Sequence, residues 1–175
     1  MNRINRIYTA GYFKGLKAAR KNGYKILDLG AWNQQRLSLQ REYKDLMRAF
    51  YSEFESEKNP RVPSFHVDLN TEQQAVVDKY SSAFSSFNEK LIYFLETSIE
   101  LFRDAKLDAA ADKILRKLER DFSGFTHQQV NPREALIRYT ENPQNGFFGF
   151  SSTTYENLFY KLADVAVWLN NNFAV

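Results

Sequence analysis

Apolar residues recur along this chain at intervals of three and four, and that spacing limits its possible folds more than any other feature. At about 100° per residue such positions collect on one side of a helix, so each run can be tested for a single apolar face. About residues 3–21 place Ile4, Tyr8, Tyr12, Leu16 and Ala19 together, and Asn22-Gly23 then supplies a left-handed stop. Tyr24 to Gly30 is a connector in which Lys25-Ile26-Leu27-Asp28-Leu29 is a candidate isolated extended piece. A second run begins near Trp32 with the stripe Leu39, Tyr43, Leu46, Met47, Phe50 and Phe54, and Asn59-Pro60-Arg61-Val62-Pro63 ends it.

Thr71 followed by Gln74 reads as a capping box that opens a long helix over about 71–103. Its stripe runs through Val76, Val77, Tyr80, Ala83, Phe84, Phe87, Leu91, Phe94, Leu95, Leu101 and Phe102. At about 1.5 Å per residue it spans about 45 Å and is the expected central scaffold, although serines 81, 82, 85 and 86 weaken its helix propensity. Leu107, Ala111, Ile114, Leu115, Leu118 and Phe122 mark a fourth helix that Gly124 terminates. Asn131-Pro132-Arg133-Glu134 opens a short fifth helix through Tyr139, with proline at its first position. Glu141 to Phe150 is then a loop, and Leu158, Phe159, Leu162, Val165, Ala166 and Leu169 carry a last helix from about Ser152. With no convincing alternating strand, no repeat and no low-complexity linker, the expectation is one all-α domain over 1–175, a bundle of about six helices around the long one.

Charge is distributed unevenly along these helices. Residues 1–27 hold Arg3, Arg6, Lys14, Lys17, Arg20, Lys21 and Lys25 and no acid, whereas the other 148 residues hold 17 bases against 21 acids. On a helical wheel Arg3, Arg6, Lys14, Lys17, Arg20 and Lys21 occupy a sector of about 140°, opposite the Ile4/Tyr8/Tyr12/Leu16 face. Bundle helices commonly carry a solvated charged face, but a purely structural one gains from opposite signs at i+4, and this one has none. Such a stripe attracts DNA or RNA backbone, or another polyanion, because neutralising phosphates releases counterions whatever the base sequence. The expected function is therefore that of a non-enzymatic binding protein, within a larger complex, whose first helix contacts nucleic acid.

The loop offers a second reading. In Asn142-Pro143-Gln144-Asn145-Gly146-Phe147-Phe148-Gly149-Phe150-Ser151, three phenylalanines are interleaved with two glycines. Rings in a normally wet loop are either tucked under the bundle, the preferred reading, or offered to a partner. If offered, Phe147, Phe148 and Phe150 are interface anchors for a protein-binding adaptor or inhibitor of viral or mobile-element type.

A third reading turns on histidine. Arg61 to His66 and Arg120 to His127 fit the Arg-x4–6-His spacing of the HEPN helical-bundle ribonucleases, and the second copy also has a polar residue, Asp121, directly after arginine. The resemblance implies a pair that polarises a phosphodiester and moves a proton, chemistry suited to an imidazole. In size, helical content and basic patch the chain also resembles small α-helical subunits of nucleoprotein complexes, such as those of CRISPR surveillance complexes.

Composition removes much else. With Cys 0 there is no disulfide, thiolate nucleophile or cysteine-ligated metal, and His 2 is too few for an all-histidine site. Neither a Gly-x-x-x-x-Gly-Lys-Ser/Thr nor a Gly-x-Gly-x-x-Gly loop occurs. No cofactor or metal is expected, and no catalytic residue is assigned. No apolar stretch is longer than the five residues of Leu91 to Leu95, far short of the roughly 18 residues of a membrane span, and no membrane association is expected. The start Met1-Asn2-Arg3-Ile4-Asn5-Arg6 lacks a secretory core, and a cytoplasmic location is expected.

Overall fold

Each amphipathic run among the described residues folds as a helix, because only burial against another helix removes its apolar stripe from water. The computed structural model describes residues 29–55, 69–122, 125–126, 132–142 and 145–173. Helix α1 is Leu29–Glu55, α2 is Thr71–Asp104, α3 is Asp108–Asp121, α4 is Arg133–Thr140 and α5 is Ser152–Phe173. The all-α expectation holds: the described residues contain these five helices and no strand. The expected first helix over 3–21 and residues 25–28 of the expected extended piece lie outside the described residues, while Leu29 and Gly30 belong to α1.

Helix α2, with 34 residues, packs against α1, α3 and α4, and α5 packs against α3 and α1. Contacts therefore close a ring α1–α2–α3–α5, with the short α4 added on α2. The ring's interior is aromatic. Tyr43 on α1 and Tyr155 on α5 lie 4.8 Å apart between ring centroids, with Phe87 of α2 and Phe159 of α5 against them. Further along, Trp32 packs on Phe94 and Phe102 and donates its indole N–H to Ser98 Oγ at 2.8 Å, so the one polar edge of a buried ring is satisfied.

Local signals hold with small shifts. The capping box of α2 starts one residue earlier than Thr71: Asn70 Oδ1 accepts the Gln73 backbone N–H at 2.7 Å, and Gln73 Oε1 accepts the Asn70 N–H at 3.0 Å. Asparagine is the better N-cap, and its carboxamide reaches the third helical N–H without competing for the first turn. The serines do not interrupt α2. Ser81 donates to the Val77 carbonyl at 2.8 Å within the turn, and the apolar positions on either side hold the helix to the ring. Ala83, expected on the buried stripe, is exposed, while Asn88 and Ser98 are buried. Pro132 is the N-cap of α4 and not its first helical residue.

Candidate functional site

The loop between α4 and α5 crosses the face of α2 at the point where α2 carries Asn88 on its buried side. Gly146 and Gly149 have φ of 148° and 96°, which L side chains rarely adopt. A Cβ on Gly146 would fall 2.5 Å from the Phe150 carbonyl carbon, and one on Gly149 would fall 2.7 Å from Thr140 Cβ. The two glycines let the loop turn its phenylalanines inward. Phe148 stacks on Phe84 with centroids 4.0 Å apart and meets Phe50 edge-on at 5.0 Å. Phe150, 2% exposed, sits against Phe122, Tyr139 and Tyr155, and half-buried Phe147 leans on Phe54. Phe150 is thus committed to the core, whereas Phe147 and Phe148 are only partly buried and keep part of their surface open.

A short polar chain locks the loop in place. Tyr155, 1% exposed, donates its hydroxyl to Asn88 Oδ1 at 2.6 Å, and Asn88 Nδ2 donates to the Phe148 carbonyl. One amide side chain thus ties α5 and the loop to α2 and satisfies a part-buried backbone carbonyl. Desolvation by burial pushes the Tyr155 phenol well above its ordinary range, partly offset by the bond to Asn88. Tyr43 shifts the same way, first from burial and then from the nearby Glu156 charge. Burial, with Asp121 nearby, also raises Tyr139. These phenols stay neutral; Tyr155 and Tyr43 act as hydrogen-bond donors, and all three serve as packing surface.

In front of this lock lies an open cleft of about 390 Å³ between α2, α4 and the loop. Ile92, Ile137, Phe147 and Phe148 supply its apolar wall, Asn88 its base, and Ser81, Ser85 and Thr140 its hydroxyls. Ser81 and Thr140 spend their protons on the Val77 and Ile137 carbonyls, so they remain as acceptors. Glu89 of α2 and Glu141 at the end of α4 are both exposed, and neither has an ion-pair partner among the described residues. The volume falls within the ordinary range for ligand pockets. Sequence reading missed this cleft, and its one traceable signal is Asn88, a polar residue at a stripe position between Phe87 and Leu91.

No family model, curated protein or solved structure matches the chain.

The other sequence-derived sites fall elsewhere. Arg3, Arg6, Lys14, Lys17, Arg20 and Lys21 lie outside the described residues, as do Arg61, His66 and His127. Arg120 is described: it is exposed at the end of α3, with its Nε 3.6 Å from Asp121 Oδ1. Among the described residues no group of three acidic or imidazole side chains could hold a metal, and no helix is long and apolar enough to cross a membrane.

Proposed function

We propose that this chain is a non-enzymatic binding protein whose N-terminal basic segment contacts the phosphate backbone of nucleic acid, or another polyanion, within a larger complex. The reading rests on the segregation of charge. The first 27 residues carry seven bases and no acid, whereas the described residues carry 15 bases against 18 acids, a net of −3. A net acidic body gains nothing from a phosphate backbone, so attraction to one falls to Arg3, Arg6, Lys14, Lys17, Arg20 and Lys21. Contacts of this kind position a protein without reading bases. The reading keeps the six-helix arrangement expected from the sequence, built about the long helix over 71–103.

Binding of the full chain to labelled single- and double-stranded DNA and RNA across a salt series tests this. Affinity is expected to fall steeply with salt, and K14E/K17E/K21E is expected to weaken binding to all sequences alike and to flatten the salt slope by about three charges' worth. Equal binding by parent and triple variant would refute the assignment to this segment.

A further inference from the structure

A second surface, of opposite sign and built from different residues, follows from the cleft between α2, α4 and the loop. Its wall is apolar, its Ser81 and Thr140 hydroxyls have given their protons to backbone carbonyls and remain as acceptors, and its two rim carboxylates, Glu89 and Glu141, are without ion-pair partners among the described residues. That combination suits an alkyl stem ending in a cation: methylenes against the phenylalanine and isoleucine wall, and an ammonium or guanidinium between the carboxylates. The acidic character does not stop at the cleft. Beyond Glu89 the same face of α2 carries Tyr93, Glu96 and Glu100 at intervals of four, three and four, so they share one side of the helix. Tyr93 is 60% exposed, one of the few large apolar side chains left open to solvent, and Glu96 and Glu100 also have no ion-pair partner among the described residues. From Glu89 to Glu100 the stripe covers about 16 Å at about 1.5 Å per residue, longer than a single small cation can use.

We propose that this cleft and stripe form a docking surface for a basic segment of a partner protein, with one lysine or arginine seated in the cleft and further cations along α2 over the Tyr93 ring. The occupant is chosen by charge complementarity and by length. A free organic cation would fill the cleft and leave Tyr93, Glu96 and Glu100 unused, and a polyanion would be repelled by every rim charge. The inference does not depend on the phosphate-binding reading, since the two use separate residues and opposite charges.

The test uses the full-length chain and a labelled amphipathic helix peptide of lysine and leucine. Its glutamate–leucine counterpart and hexylammonium serve as comparison probes. The lysine peptide is expected to bind in a salt-sensitive way, the glutamate peptide not at all, and hexylammonium only weakly. E89Q/E141Q is expected to weaken peptide binding by roughly fivefold to tenfold, and Tyr93→Ala to weaken it further, with unchanged thermal unfolding showing that the bundle is intact. K14E/K17E/K21E is expected to leave peptide binding in place, which separates this inference from the phosphate reading. Absence of peptide binding at low salt would overturn the proposal, as would equal binding by E89Q/E141Q. Hexylammonium matching the peptide in affinity, with no effect of Tyr93→Ala, would assign the cleft to a small cation and overturn it as well.

Discussion

Removing one oxygen from the core tests whether the Tyr155–Asn88 lock holds the loop. Tyr155→Phe keeps the ring, its 4.8 Å approach to Tyr43 and its edge contact with Phe150, and deletes only the hydroxyl that donates to Asn88 Oδ1 at 2.6 Å. No cavity of consequence opens. The cost is the net hydrogen bond plus an acceptor stranded beside the aromatic core, together about 2 kcal/mol. For a chain of this length, that corresponds to a loss of about 4–8 °C in thermal midpoint. Because Asn88 also holds the Phe148 carbonyl, Asn88→Ala alone is expected to cost at least as much. The double variant is expected to cost less than the two singles added, by about 1 kcal/mol or more, since both remove the same bond. Urea unfolding of the four proteins closes that cycle. The alkaline limb gives a second readout. Burial raises the Tyr155 and Tyr43 phenols in the folded state, so above pH about 10 the unfolded chain releases protons that the folded chain retains. The contribution is fully present below that pH, and stability falls as pH rises past it, by about 1.4 kcal/mol per pH unit for each such phenol. Tyr155→Phe is expected to make that limb shallower by one phenol. A variant whose midpoint stays within about 1 °C of the parent's, or singles that add without coupling, would refute the lock.

Gly146→Ala places a Cβ 2.5 Å from the backbone of Phe150 at a φ of 148°, where neither the neighbour nor the chain can yield cheaply. It is expected to destabilise by about 2 kcal/mol or more and to loosen the loop, read as lost midpoint and as faster amide exchange around 145–151. Ser98→Ala strands the buried Trp32 indole N–H and is expected to cost about 1–3 kcal/mol in denaturant unfolding, with a change in tryptophan emission. Threonine at position 98, which retains the acceptor, is expected to recover most of that loss.

Helices were legible in this sequence because the period of Phe84, Phe87, Leu91, Phe94 and Leu95 is a local property that any window exposes. Caps were nearly so: Asn70 and Thr71 are both acceptable N-caps, and the choice between them depends on which side chain reaches the third helical N–H. The cleft was not legible. Periodicity places Asn88 on the core side of α2 but cannot say that a tyrosine 67 positions later and a carbonyl 60 positions later will meet it. The loop shows the same division. Its composition, three phenylalanines interleaved with two glycines, states that the rings need cover, while the 4.0 Å stack of Phe148 on Phe84 exists only because α2 passes beneath it.

By itself, then, the sequence determined the helical class, the extent of each described helix to within a few residues, and the separation of a basic beginning from an acidic remainder. These follow from backbone hydrogen bonding, side-chain spacing and charge, which act over a few residues. Tertiary structure alone decided that α1, α2, α3 and α5 close a ring, that Ala83 is exposed, that Asn88 meets Tyr155 and the Phe148 carbonyl, and that Glu89 and Glu141 come to border one cleft. Those outcomes depend on which apolar faces pack together, and packing joins residues that are distant along the chain, so no local pattern carries them.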